Sequence, residues 1–242
     1  MRLIRPDAHR TISLPGVAQP VPRPVDIDNA QTGFRILRTL RIYRFQQGTQ
    51  IEGHAEEDEV FIVVLQGEIE LEMRAHGSAE CRTTLAAPAH APDGIACAAY
   101  LPLRGEYLLT ARTDADVAYA RATPKEARPA ASFTPDALGD SPAGLRVILD
   151  LRSPAERLRV QIIRPPECGG ISRAELFEGG VCPGEALLHV RTDEAGGPFA
   201  VIANGHRQTL QSWDTVAIVP GERAALDGDP GSSFTALLVW GE

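Results

Sequence analysis

No stretch of this chain longer than a turn or two carries apolar residues at helical spacing, while short apolar runs recur between turn residues from end to end. In the first half the runs fall at about 34–45, 59–65, 68–73, 95–102, 106–111 and 116–121. In the second they fall at about 145–151, 157–164, 171–177, 185–191, 198–203, 214–219 and 234–240. A chain punctuated this way folds as an all-β sandwich or barrel.

Residues 122–142, ATPKEARPAASFTPDALGDSP, have the composition of a linker. The halves on either side share a grammar. Glu59-Val-Phe-Ile-Val-Val-Leu-Gln-Gly67 echoes Gly197-Pro-Phe-Ala-Val-Ile-Ala-Asn-Gly205, and Ala99-Tyr-Leu-Pro102 echoes Ala217-Ile-Val-Pro220. Two related barrels, 1–121 and 143–242, are therefore expected around the linker. The arm Leu14–Pro24, LPGVAQPVPRP, is unsuited to helix or central strand and is expected to lie extended over a partner surface. Residues 74–94 turn small and polar and read as a long loop, a lid or flap.

At 242 residues and 43% hydrophobic content, the chain holds one large core or two smaller ones. No apolar run approaches a membrane span, and Arg5-Pro6 precedes any signal-type stretch, so a cytoplasmic protein is expected. A net charge of −8 argues against nucleic acid and anionic membranes as partners, because both need basic surface to displace counterions. Arg35, Arg38, Arg41 and Arg44 alternate between strand faces and form no basic stripe. The one lysine, Lys125, sits in the linker, which leaves no buried amine for Schiff-base chemistry. Cys81, Cys97, Cys168 and Cys182 have no zinc spacing and read as core or surface thiols.

The chemistry gathers in Gly48–Gly67, GTQIEGHAEEDEVFIVVLQG, which reads as loop, buried strand and tight turn. At the loop–strand junction His54, Glu56 and Glu59, or Glu52, His54 and Glu59, converge if alternate residues share a face. Imidazole plus carboxylates suits a divalent metal, and an oxygen-rich set favours Mn, Fe or Mg over a thiolate-type zinc site. The alternative is a solvated acidic loop before a buried strand, with no metal.

This stretch resembles the first motif of the cupin superfamily: glycine, five residues, His-x-His, three or four residues, glutamate, six residues, glycine. Gly48 and His54 fall in place, with Glu56 in the second histidine position and Glu59 one residue early. Leu210–Gly221 resembles the second motif, whose counterpart in the first half is Ile95–Ala111. Five residues after its proline, where the family places its last metal histidine, stands Tyr107. In the second half a 138-residue offset puts Thr192 and Gly197 in the places of His54 and Glu59, with Ala225 in that of Tyr107. His189 and His206 are off-motif and read as core or surface histidines. Any metal site is thus expected in the amino-terminal barrel, on His54, Glu59 and Glu56, with Tyr107 or His90 approaching a fourth position.

Among cupins the first half is similar to the two-barrel sugar-acid isomerases, the 5-deoxy-glucuronate and 5-keto-4-deoxyuronate isomerase group. The similarity rests on Gly33-Phe-Arg-Ile-Leu-Arg38, Gly48, the Glu59-to-Gly67 gap, Tyr100-Leu-Pro102 and Leu109–Ala118. It implies two tandem cupin-type (jelly-roll) barrels, a divalent metal (Mn, Fe, Zn or Mg) and aldose–ketose isomerisation of a small sugar acid through an enediol. A spare glutamate, Glu56, would shuttle the proton, and Tyr107 is the other catalytic candidate. A metal-free bicupin that binds a small molecule or serves as an assembly module remains the other reading, and a homodimer is left open.

Overall fold

A computed structural model describes residues 1–75, 80–88, 96–126, 129–134, 145–155, 157–165, 171–192, 199–229 and 232–242. It divides into two compact units. The amino-terminal unit is Asp7–Pro135 with Arg152–Leu158, and the carboxy-terminal unit is Met1–Pro6, Asp136–Leu151 and Arg159–Glu242.

The amino-terminal unit is built from two antiparallel sheets. The larger runs Ala131–Phe133, Ala98–Leu101, Glu59–Gln66, Ala115–Ala122, Leu37–Phe45, Val25–Asp28 in spatial order. The smaller runs Gln50–His54, Glu106–Ala111, Glu68–Arg74, Cys81–Ala86. Strand alternation decides which residues meet between them. Val60, Ile62 and Val64 from the first sheet join Ile69, Leu71, Met73 and Leu109 from the second in one buried cluster. Gly67 is the corner at which the chain passes from one sheet to the other. Its φ is +76°, and a Cβ there would lie 2.1 Å from the Asp114 carbonyl oxygen, so no other residue fits.

Four features depart from the sequence reading. Gln50–His54 is a strand rather than loop, and Cys81–Ala86 is a strand within the stretch read as a lid. His90 and the rest of that stretch through residue 95 lie outside the described residues. Ala131–Phe133, inside the expected linker, pairs with Ala98–Tyr100 at the sheet edge. The proline-rich arm doubles back against its own unit. Thr11–Ile12 and Val21–Pro22 close it into a hairpin, and Ile12, Leu14, Val17 and Val21 lie against the barrel core of their own unit. Burying Val21 and partly burying Ile12, Leu14 and Val17 holds an arm whose prolines forbid a central strand.

The carboxy-terminal unit repeats the plan. Its larger sheet runs Arg2–Ile4, Thr215–Ile218, Glu185–Thr192, Phe234–Gly241, Leu158–Arg164, Arg146–Arg152. Its smaller sheet runs Ile171–Glu175, Ala224–Gly228, Phe199–Ala203, His206–Leu210. The matching sheet orders make Glu185–Thr192 the counterpart of Glu59–Gln66, and Phe199–Ala203 that of Glu68–Arg74. The first sequence echo is thus displaced by one strand. The second joins the correct strands but is one residue out of register, because Leu101 pairs with Val60 as Ile218 pairs with Ala186. Apolar strands of one fold resemble each other whichever pair is matched, and only the pairing register separates them. The one α-helix among the described residues is the four-residue Asn29–Thr32, capped by Asp28 and Gln31. No helix among the described residues is long and apolar enough to cross a membrane.

Candidate functional site

Alternation also decides what faces the barrel interior. In Gln50–His54, Ile51 and Gly53 point inward while Gln50, Glu52 and His54 are exposed. Tyr107 pairs directly with Gly53, and its ring lies flat against that glycine: a Cβ on Gly53 would be 2.4 Å from the Tyr107 hydroxyl oxygen. Ala55, next inward, is fully buried. On the following strand Val60, not Glu59, faces the core.

The inward residues Gly53, Ala55 and Val60, followed by Gly67, match the later part of the first cupin motif, including its six-residue gap to the glycine, while Gly48 stands one residue too close for the opening glycine. On that frame the ligand positions of the motif pair fall on Gly53, Ala55, Val60 and Tyr107. Anchoring the pattern on His54 shifted it by one residue, and a one-residue shift on a strand turns every side chain to the other face.

Each expected ligand has a different place. The His54 side chain is 63% exposed, with Nδ1 3.8 Å from the Glu56 carboxylate, itself 60% exposed. Glu56 sits in the turn after the strand with φ +56°, and its other oxygen is 3.7 Å from Arg121. Glu59 is fully buried on the face it shares with Phe61, opposite the core cluster. There it accepts hydrogen bonds from the Tyr100 hydroxyl at 3.2 Å and the Ser153 hydroxyl at 3.1 Å. Burial pushes its carboxyl up to about 7, against the pull of those two donors. Among the described residues, no three His, Cys, Asp or Glu side chains come together as a metal site.

What does occupy the interior is a set of phenols and guanidiniums. Tyr43 and Tyr119 meet edge to face at 5.3 Å between ring centres, and Tyr119 and Tyr107 at 5.9 Å. Burial pushes Tyr107 up to about 12 and Tyr119 well above the ordinary phenol range, so both stay protonated. Tyr119 is 6% exposed, and its hydroxyl is turned to that of Tyr107. Arg41 pairs across from Tyr119 and binds Asp26 at 3.0 Å. Arg23 binds the same carboxylate at 2.8 Å, donates to the Tyr43 hydroxyl at 3.3 Å and lies 5.6 Å over that ring. Arg10 is the third guanidinium on Asp26. At the rim, Arg121 donates to the carbonyls of His54 at 2.9 Å and Ala55 at 2.7 Å, tying down the turn that carries Glu56. Tyr43, Tyr119, Arg23 and Arg121 were not singled out from sequence, although the frame ending Val60-x6-Gly67 would have marked which positions face inward.

In the carboxy-terminal unit the counterpart of Val60 is Ala186, in the core. Thr192 ends that strand rather than occupying a ligand position, Gly197 lies outside the described residues, and Ala225 lies on Ala224–Gly228. His189 is buried beside Thr215, whose hydroxyl is 3.1 Å from Nδ1, and desolvation lowers it to about 3. His206 is an exposed residue at the start of a strand. Cys97 and Cys182 are buried thiols, pushed by burial to about 12 and about 11. Cys81 is partly exposed, and Cys168 lies outside the described residues.

Residues 21–152, more than half of the chain, match the model of the KduI/IolB family. The chain belongs to that family. None of the curated proteins matches it in sequence. Solved structures do. An IolB-like protein of Salmonella typhimurium LT2 superposes with a TM-score of 0.70 at 15% identity, over 96% of this chain and 93% of that one. A putative glyoxylate induced protein of Pseudomonas aeruginosa gives 0.68 at 15% identity, over 96% and 83%. An oxalate decarboxylase variant of Bacillus subtilis gives 0.67 at 8% identity, over 98% and 76%. At such identities the likeness establishes the fold, two tandem cupin barrels. The metal implied by the cupin resemblance does not fit the described residues of the amino-terminal barrel: glycine, alanine and valine offer no donor, and a neutral phenol alone is a poor one.

Proposed function

We propose that this KduI/IolB-family protein is a sugar-acid isomerase that takes a small hydroxylated carboxylic acid into the amino-terminal barrel. The observation that carries this reading is the interior cluster of Tyr43, Tyr107 and Tyr119, three phenols packed against the barrel core. Family membership supplies the reaction class, aldose–ketose interconversion.

In that reaction a proton leaves the carbon bearing the hydroxyl and returns to the neighbouring carbonyl carbon, while the carbonyl and hydroxyl oxygens exchange roles. Tyr107, protonated throughout, donates a hydrogen bond to the oxygen that gains charge. Glu56, held at the rim near Arg121, is the carboxylate that carries the carbon-bound proton. No step uses a metal. A second reading, binding without turnover, is favoured by the exposure of Glu56, since a base open to water competes poorly for a carbon acid.

The test is to incubate the purified protein with D-glucuronate and D-galacturonate in the presence of a chelator, following the aldose and ketose signals by NMR. Interconversion that Tyr107→Phe slows at least tenfold supports the isomerase. Saturable binding without interconversion leaves the binding reading, and absence of both removes the amino-terminal barrel as a sugar-acid site.

A further inference from the structure

Glu59 is the most deeply enclosed acid among the described residues, and the proposed reaction makes no use of it. It opens the strand Glu59–Gln66 on the side turned away from the barrel interior, at no metal position. Its partners are uncharged hydroxyls, Tyr100 at 3.2 Å from Oε2 and Ser153 at 3.1 Å from Oε1. Ser153, 2% exposed, lies in Arg152–Leu158, a segment of the same unit. Its Oγ also accepts from the amides of Arg157 at 3.3 Å and Leu158 at 3.2 Å, and its own amide donates to the Leu158 carbonyl at 2.7 Å. The turn is folded around one hydroxyl, and that hydroxyl is fastened to Glu59.

Among the described residues, the titratable and charged groups that face Glu59 are Tyr100 and Arg157. Arg157 Nε is buried and has no partner there. Asp58, the preceding residue, is turned to Arg121 and Arg38 instead, and Arg121 donates to the rim carbonyls. With both lone pairs of Ser153 Oγ taken by amides, its proton goes to Glu59 whether that carboxyl is charged or neutral. The Tyr100 hydroxyl can reverse, donating to the anion and accepting from the acid. Protonated Glu59 is therefore satisfied inside the closed turn. Ionised, it is a buried anion on two neutral donors, beside a guanidinium whose Nε is unpaired, and water serves both groups better.

We infer that Glu59 and the turn Ser153–Leu158 form a pH-sensitive clasp, closed while Glu59 holds its proton and opening to water once Glu59 ionises. Desolvation raises the carboxyl from 4.5 to about 7 in the closed form. Opening therefore becomes easier as pH rises from 4.5 and levels off above about 7. That interval corresponds to about 300-fold in the opening equilibrium when the open form exposes the carboxyl fully. The clasp is a local event, separate from unfolding of the barrel core.

Amide exchange of the full-length protein reads it, followed by NMR from pH 4.5 to 8 and divided by the intrinsic rate at each pH. Protection of the Arg157 and Leu158 amides is expected to fall at least tenfold between pH 4.5 and 7 and to stay level above, while Ile62 and Val63 in the core strand remain at least tenfold better protected throughout. Glu59→Gln should abolish the pH dependence of the turn. Arg157→Met removes the facing cation, so it should carry the upper end of the change to higher pH. A carboxyl-carbon titration of Glu59 in the unsubstituted protein should level at the same pH as the exchange. If the turn amides exchange only together with those of Ile62 and Val63, the turn has no opening of its own and the clasp is overturned. An unchanged pH profile in Glu59→Gln, or a Glu59 carboxyl that titrates at the value of a solvated one, overturns Glu59 as the trigger.

Discussion

Glu59→Gln should make the protein more stable at neutral and alkaline pH and change it little in mild acid. Glu59 is wholly buried, and its carboxyl is raised from 4.5 to about 7, chiefly by desolvation. Between those values the folded chain holds a proton that the unfolded chain has released. Stability therefore falls as pH rises through that window, and above about 7 the full cost of burying the anion stands. At about 1.4 kcal/mol per pKa unit, the difference amounts to about 3 kcal/mol. Glutamine never ionises and keeps the shape. Its carbonyl oxygen accepts from one hydroxyl, and its amide donates to the other. Subtracting variant from wild type also cancels Asp58, whose carboxyl burial raises as well. In urea or thermal melts from pH 4.5 to 8.5, the variant should gain about 3 kcal/mol over wild type across the window. That gain corresponds to roughly 6–12 °C in the melting temperature of a chain this size. A stability difference that stays flat from pH 4.5 to 8.5 would refute the reasoning, because the burial cost would then be absent.

Ser153→Ala removes one of the two donors to Glu59 and the acceptor of the Arg157 and Leu158 amides, so it should cost about 2 kcal/mol at pH 8 and less at pH 5, measured by the same melts. Gly53→Ala puts a methyl where the Tyr107 ring lies; overpacking should cost about 1–3 kcal/mol, and the displaced Tyr107 signal should be visible in ring-labelled NMR spectra. Arg121→Ala leaves the His54 and Ala55 carbonyls without their charged donor, and amide exchange across residues 54–58 should speed up at least tenfold with a stability loss of about 2 kcal/mol.

The all-β class and most core strands were legible because a strand buried on both faces, such as Glu59–Gln66, leaves an unbroken apolar run. Strands that escaped notice are half-exposed or short. Gln50–His54 shows Gln50, Glu52 and His54 to solvent and hides only Ile51 well, so its acids and histidine read as loop. Cys81–Ala86 is covered fully only at Leu85 and Ala86, and Ala131–Phe133 gains its strand character from pairing with Ala98–Tyr100. Pairing of this kind is a property of distant residues, and a local pattern carries no trace of it.

Which residues of the candidate stretch face the barrel interior was not legible, and the reason is one bit of information per strand. Looking for donors favours the residue types that coordinate metals, so His54 and Glu59 drew the motif onto themselves, though each points away from the barrel interior. Looking instead for the glycine that a barrel corner demands would have begun at Gly67, counted back six residues to Val60 and arrived at Ala55 and Gly53. From there Tyr107, paired with Gly53, is the inward residue of the second motif, and Tyr119 and Tyr43 follow by pairing across Ile62 and Val117. The histidine-poor motif is thus not a damaged version of a metal site one residue away. It is an interior lined by small and apolar side chains and phenols, with the Tyr107 ring lying in the volume that a side chain on residue 53 would occupy.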